Sequence, residues 1–446
     1  MHVLATISRS VFATAILFLG VYAVRHYVFS VFRLFLRNVR DYSELEGFDL
    51  PRLSVIVPMH NEAQVAADIL QALMDNDYDP ERIEVLAVND RSEDDTGAII
   101  DAYAANHAHI RAFHRTSGNG GKAGALEFGT RQATGEIIIV FDADYVPGRG
   151  ILKMLAAPFA DPQIGAVMGR VVPINAGASL MSGLLALERA AGYQVVQQAR
   201  FNLGLCPQFG GTVGGVRASA LRALGGWNTK SITEDTDLTC RLLLAGWRIA
   251  YVNRAECYEQ VPESWHVRRE QLRRWVIGHT QCLHQFSLKL LRSPFLGFWQ
   301  RIDLLLMLAC YWTAPVLVIG WVASVVLFAL RYPLPADFVM VALLMIGSQM
   351  FASQAGFFEL SAASVLDQEL VRALLLPFTI LSFFSSTGAI CAALFTYYSR
   401  TILGKGEFDW VKTKRYSTPA AGSNGIGSNN GGNSRRRDGT PASSGT

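Results

Sequence analysis

The stretch Ile137-Ile138-Ile139-Val140-Phe141-Asp142-Ala143-Asp144 constrains the fold of this chain more than any other. Its apolar residues, most of them β-branched, favour a buried strand. The strand runs directly into two carboxylates one residue apart, and strand alternation sends Asp142 and Asp144 to the same side. Two hard oxygen ligands opening on the loop Tyr145-Val146-Pro147-Gly148 suit Mg²⁺ or Mn²⁺, with an anionic substrate supplying further oxygens. The same residues also suit a plain acidic turn that caps the next helix.

Residues 53–280 continue this pattern. Leu53-Ser54-Val55-Ile56-Val57-Pro58, Glu84–Asp90 and Ile110–Phe113 are expected strands. Helices are expected over Glu62–Met74, Thr96–Ala105 and Lys122–Ala133. Repeated β-α units imply a mainly parallel sheet covered by helices, with ligands at the carboxyl ends of the strands. Three strands end in polar clusters: Asn61-Glu62, Asn89-Asp90 and Asp142/Asp144.

The glycine-rich loop His114–Gly124 opens a helix; its backbone N–H groups and Lys122 suit anionic oxygens, and the same residues also suit a flexible connector. The spacing is not that of a Walker loop. A second run, Gln208-Phe209-Gly210-Gly211-Thr212-Val213-Gly214-Gly215, reads as a ligand loop or a plain connector. Thr233-Glu234-Asp235 heads a helix, with Thr233 at the cap and Asp235 suited to act as a general base. Gln271, Arg274 and Trp275 fall on one side of a helix at three- and four-residue spacing. An Arg beside a Trp suits a diphosphate and a sugar ring, or equally a membrane-proximal basic helix.

Composition sets the surroundings. Of 446 residues, 50% are hydrophobic and 17% charged, against a usual charged share of about 25%. The apolar residues collect near 10–33 and 302–398, in runs long enough for a bilayer. Residues 11–33 are expected to be a membrane anchor rather than a cleaved signal. Arg25, Arg33, Arg37 and Arg40 lie at or beyond its C-terminal end and only Arg9 precedes it, which places the adjoining domain in the cytoplasm. A net charge of +3 gives no reason to expect nucleic-acid binding. The six cysteines form no CxxC or Cys/His cluster and read as free thiols.

In order and separation, Asp90, Asp142/Asp144, Thr233-Glu234-Asp235 and Gln271…Arg274-Trp275 resemble the motifs of processive, membrane-embedded family-2 glycosyltransferases. Cellulose, chitin, hyaluronan and poly-N-acetylglucosamine synthases are such enzymes. The resemblance implies an α/β glycosyltransferase-A (Rossmann-like) domain inserted between an N-terminal transmembrane helix and a C-terminal helical membrane region. It implies a nucleotide-sugar donor, usually a UDP-sugar, with Mg²⁺ or Mn²⁺. Asp90 and Glu62 would contact the nucleoside. Lys122 and Asp142 would lie near the nucleotide and diphosphate, and Asp142 and Asp144 would serve the metal. Asp235 would be the catalytic base. Gln271, Arg274, Trp275 and Glu234 would serve diphosphate and acceptor, with Gly210, Gly211 and Thr212 beside the acceptor sugar. The acceptor would be a growing glycan or a lipid, and an accessory subunit is compatible with the pattern. Single transfer to a lipid remains the alternative, since glycolipid synthases carry a related Arg-Trp ending. A non-catalytic membrane scaffold is a third reading.

The expected organisation is an anchor over 1–40, a cytoplasmic catalytic domain over 50–280, an interfacial amphipathic helix over 281–301 and membrane helices over 302–400. Beyond them come a juxtamembrane Trp/basic segment over 401–416 and a disordered tail over 417–446. Three apolar runs, at 302–330, 335–357 and 371–398, put the tail outside by parity. The basic residues after the last run argue for inside, and Pro377 offers a re-entrant hairpin as a way out.

Overall fold

A computed structural model describes residues 2–36, 42–45, 50–118, 120–330 and 354–404. The site is placed by an eight-stranded sheet of order β3-β2-β1-β4-β7-β6-β8-β5. The strands are β1 (Leu53–Met59), β2 (Ile83–Asp90), β3 (Ile110–Arg115), β4 (Ile137–Val140), β5 (Val146–Pro147), β6 (Ile164–Pro173), β7 (Gly214–Arg217) and β8 (Arg248–Glu259). Between them run α2 (Ala66–Met74), α3 (Thr96–Asn106), α4 (Gly121–Gln132), α5 (Ile151–Ala156), α6 (Leu180–Ala190), α7 (Gln198–Asn202), α8 (Ala218–Ala223) and α9 (Glu234–Leu244). The first, α1, is the N-terminal helix His2–Phe35.

β1 to β4 are parallel where they pair, as repeated β-α units require. β6 and β8 are parallel as well, so most pairings are parallel as expected, but the remainder of the sheet is mixed. β7 lies antiparallel to both β4 and β6, and β5 antiparallel to β8. Gly214 and Gly215 belong to β7, pairing with Val140 and Ile139 rather than lining a loop. Glycine carries little strand propensity, so local pattern hides this strand.

Side chains alternate between two cores. Val55, Val57, Ile137 and Ile139 pack with Ile69 and Leu70 of α2 and Leu152 of α5. Ile56, Ile138 and Val140 face Leu126 of α4 and Leu238 and Leu242 of α9. Burial on both faces explains why β1 and β4 read as unbroken apolar runs. Each such side chain contributes roughly 1.5–3 kcal/mol.

α10 (Trp265–Arg292) is a single 28-residue helix. It runs through residue 281, where a separate interfacial helix is expected from sequence, and ends at Ser293, which is extended before Pro294. Its apolar residues Cys282, Phe286 and Leu290 face the protein core rather than lipid. The next helix, α11 (Phe298–Leu308), begins after the break, and Leu288, Leu291, Phe295, Phe298 and Trp299 around it stay exposed.

Among the described residues, three helical stretches are long and apolar enough to cross a membrane: His2–Phe35, Cys310–Ala329 and Leu370–Ile402. The second contains α12 (Thr313–Ala329). Residues 354–366 form α13. The third holds a 3₁₀ segment Leu370–Phe378, with Pro377, followed by α14 (Thr379–Ile402), unbroken over 24 residues. Most of the apolar run 335–357, the Phe408–Arg415 segment and the tail lie outside the described residues.

α1 at 34 residues is about 51 Å long, well beyond a hydrocarbon core. Its last turns are tied to the sheet domain. The Arg25 Nε donates to Asp303 Oδ1 at 2.7 Å, and Arg200 Nε donates to Asp303 Oδ2 at 2.9 Å. Arg33 Nε donates to the Gln194 carbonyl at 2.7 Å. Two arginines that count toward membrane orientation are thus also structural contacts. Asp303 is buried, and neutralising it strands two guanidiniums. Asp303→Asn is expected to cost about 3–5 kcal/mol, read as a lowered unfolding midpoint in detergent. An unchanged midpoint would refute this role.

Candidate active site

The parallel pairing of β2, β1 and β4 brings their carboxyl ends to one edge. β4 stops at Val140, so the two aspartates sit not on the strand but on the turn after it. The Tyr145 N–H donates to the Asp142 carbonyl at 3.1 Å, closing that turn. The Asp142 N–H donates to Thr212 Oγ1 at 3.1 Å, fixing the turn to the second glycine run.

Lys122 lies in the first turn of α4, behind the glycine-rich loop. Its Nζ is 2.6 Å from Asp142 Oδ1 and 3.9 Å from Glu234 Oε1. Burial alone would lower the Lys122 pKa, but Asp142, Glu234 and Asp235 outweigh it and raise it. Burial pushes the Glu234 carboxyl up to about 7 despite Lys122, with Asp235 adding to the rise. The cluster therefore sets a firmly charged Lys122 beside a Glu234 carboxyl that resists ionisation.

Two close approaches assemble the rest. Gly211 adopts φ +69°, and a Cβ there would lie 2.9 Å from Asp235 Cβ. The glycine loop thus lies directly against the proposed base. A Cβ on Gly278 of α10 would collide with Thr233 Cγ2. That missing side chain lets α10 seat on the start of α9. Thr233 stands at the N-cap but its hydroxyl makes no capping bond; packing against α10 takes its place. Gly210 sits one step back, its N–H directed at Met168 Sδ at 3.3 Å.

α10 brings Arg274 to this edge, while its Gln271 and Trp275 meet Arg268 and Arg189. Arg274 is within electrostatic reach of Glu234, Asp142 and Asp235; burial lowers its pKa and these acids oppose the fall. Two guanidiniums lie over the Trp275 ring, with Arg268 Cζ at 5.1 Å and Arg189 Cζ at 5.3 Å from its centroid. Gln271 accepts from Arg268 Nη1 at 2.7 Å. Arg189 in turn donates to Glu259 at 2.6 Å, and the Tyr145 hydroxyl donates to the other Glu259 oxygen at 2.6 Å. No motif marks Arg189, Glu259 or Tyr145 in the sequence, because their pairing spans 70 residues or more.

Asp90 and Glu62 form a second group on the same edge. Asp90 is buried, and its Oδ1 accepts from Arg115 and Arg91, each at 2.8 Å. The backbone N–H of the buried Glu62 donates to Thr96 Oγ1, 2.8 Å away. β2 lies two strands from β4, roughly 10 Å at ordinary strand spacing. That gap separates this group from Lys122 and Asp142.

Residues 51–278 match the profile of the family described as glycosyltransferase like family 2. The chain belongs to that family. Curated members similar to it include glucomannan 4-beta-mannosyltransferase 7 of Arabidopsis thaliana, 28% identical over 272 residues, covering 59% of this chain and 49% of the relative. The beta-monoglucosyldiacylglycerol synthase of Synechocystis sp. (strain ATCC 27184 / PCC 6803 / Kazusa) is 31% identical over 270 residues, covering 59% of this chain and 55% of the relative. The chain spans about half the length of these curated relatives. Among solved structures, the mannosyltransferase PcManGT from Pyrobaculum calidifontis, in complex with GDP-Man and Mn²⁺, superposes with a TM-score of 0.55 at 23% identity. The match covers 81% of this chain and 98% of that one. The fold of this family-2 member is therefore glycosyltransferase-A-like, a mixed sheet with apolar helices near both ends of the chain.

Proposed function

We propose that the protein is an inverting glycosyltransferase that moves a hexose from a nucleotide sugar onto a hydroxyl acceptor at a membrane surface, building a β-linked glycan. The observation that carries this is the convergence of Lys122, Asp142, Glu234, Asp235 and Arg274 at one sheet edge. Lys122 and Arg274 are the cations that a departing diphosphate needs. Asp235, at the head of α9 and against Gly211, is the carboxylate placed to take a proton from the acceptor hydroxyl. The hydroxyl then attacks the anomeric carbon from the face opposite the leaving group. One displacement inverts the centre, so an α-linked donor yields a β-linked product. Trp275, its ring covered by Arg189 and Arg268, is assigned with Gln271 to shaping the acceptor end. Asp90 and Glu62, at the β2 side of the edge, are assigned to the nucleoside.

A hard divalent cation fits the donor set. Asp142 and Asp144 offer carboxylate oxygens on a half-exposed turn. Among the described residues no group of three or more His, Cys, Asp or Glu forms a closed cage, so donor phosphate oxygens would complete the shell. When bound, Mg²⁺ or Mn²⁺ would neutralise charge on the diphosphate. The catalytic domain faces the cytoplasm in this proposal, with the exposed apolar residues around Phe298 and Trp299 against membrane lipid.

A glycolipid synthase among the relatives supports a second outcome, transfer of one sugar to a lipid. The test offers UDP-glucose, UDP-N-acetylglucosamine, UDP-glucuronate and GDP-mannose separately to the protein in nanodiscs, with Mg²⁺ or Mn²⁺. Nucleoside diphosphate release with a high-molecular-weight glycan is the expected result, abolished by chelation. A single glycolipid product would favour the second outcome. No turnover of any donor, with no nucleotide binding, would refute glycosyl transfer.

A further inference from the structure

Among the described residues, the carboxylate of Asp235 is held through one oxygen. Its Oδ1 accepts the Thr236 N–H at 2.6 Å and the Thr236 hydroxyl at 3.3 Å. Thr236 is buried, and its Oγ1 accepts Gln208 Nε2 at 3.0 Å. That donation occupies a lone pair of the hydroxyl and leaves its single proton free to point at Asp235. Gln208 is itself pinned. Its backbone N–H donates to Gln197 Oε1 at 3.0 Å, and Gln197 Nε2 donates to its carbonyl at 2.8 Å. One side-chain amide thus pairs with a backbone peptide as a neighbouring strand would.

Gln197 closes the π-helical turn Ala191–Gln197, an i→i+5 widening between α6 and α7. The same turn carries Gln194, whose Nε2 donates to Asp367 Oδ1 at 2.7 Å and whose carbonyl accepts Arg33 of α1. Asp367 lies just after α13. One glutamine of the turn therefore grips α1 and the segment after α13, and the other grips the chain leading to Asp235.

We infer that Gln197 and Gln208 are positioning residues that hold Asp235 through Thr236, reserving its Oδ2, beside Gly211, for the acceptor proton. Because this rests on Asp235 as the base, the experiment separates the two ideas. Losing the Thr236 hydroxyl leaves Oδ1 with one bond and loosens the aim of Oδ2.

The variants are Thr236→Val, Gln208→Leu, Gln197→Leu, Thr236→Ser and Asp235→Asn, assayed in nanodiscs with whichever donor of the screen turns over. Thr236→Val and Gln208→Leu are expected to lower kcat roughly tenfold. Donor KM, affinity for the released nucleoside diphosphate and the unfolding midpoint should stay near wild type. Gln197→Leu should show the same loss of kcat in smaller degree, and Thr236→Ser, which keeps the hydroxyl, should restore kcat. A kcat within about twofold of wild type in Thr236→Val and Gln208→Leu would overturn the clamp while an inactive Asp235→Asn upholds the base. A joint loss of donor affinity, midpoint and kcat that Thr236→Ser does not restore would also overturn it, reducing the chain to a loop staple. An active Asp235→Asn would overturn both.

Discussion

Asp235→Asn is expected to lower turnover by roughly 10²–10⁴, the usual contribution of a positioned general base. The substitution is nearly isosteric, and the side-chain oxygen still accepts the Thr236 N–H, so the start of α9 keeps its geometry. What disappears is the carboxylate that lies beside the glycine loop and that the proposed mechanism uses to take the acceptor proton. The neighbouring Glu234 is a poor substitute. Its carboxyl, pushed up to about 7 by burial, points toward Lys122, 3.9 Å away. Donor affinity should change little, because Lys122 and Arg274 remain. The check is nucleoside diphosphate release in nanodiscs alongside calorimetric titration with the same nucleotide. Retention of more than about a tenth of wild-type turnover would show that another group takes the proton.

The part of this arrangement that can be read from sequence obeys a simple physical division. β1, β2 and β4 are buried on both faces, so their apolar runs announce them, and the acids beyond them announce an edge. β6 is interrupted by Gly165 and Gly169, β7 begins with Gly214-Gly215, and β8 carries Arg254, Glu256 and Glu259. None of these has a clean local pattern, so the mixed topology is hidden along with them. The candidate catalytic side chains are legible because their chemistry requires particular types at short spacing. Their supports are not. Arg189 with Glu259, and Arg268 with Glu188, are pairs across long sequence gaps whose members look like any surface charge until the fold closes. α10 shows the opposite error. Cys282, Phe286 and Leu290 have a membrane-like spacing, yet they complete the core beneath the sheet, because helical periodicity says which face is apolar and not what covers it.

Arg274→Ala is expected to cost about 10²–10³ in kcat, the scale seen when one preorganised donor to a developing negative charge is removed. The structure gives the reason for a loss of this size. Asp142, Glu234 and Asp235 gather at the edge, and Lys122 is held by the first of them at 2.6 Å. Without Arg274, a diphosphate would meet an acidic surface with its main lysine already engaged. The fall should therefore appear in nucleoside diphosphate affinity as well as in kcat, unlike the Asp235 variant. Arg274→Lys keeps the charge but loses the planar fork that binds two phosphate oxygens at once, so it should recover only part of the activity. Burial lowers the Arg274 pKa, but a guanidinium stays charged throughout the working range. The defect should accordingly persist across roughly pH 6–9, where an arginine does not titrate. Turnover, nucleotide titration and the unfolding midpoint, measured together, decide the matter. A variant with normal nucleotide affinity and near-normal kcat would remove Arg274 from the leaving-group site and leave Lys122 as its cation.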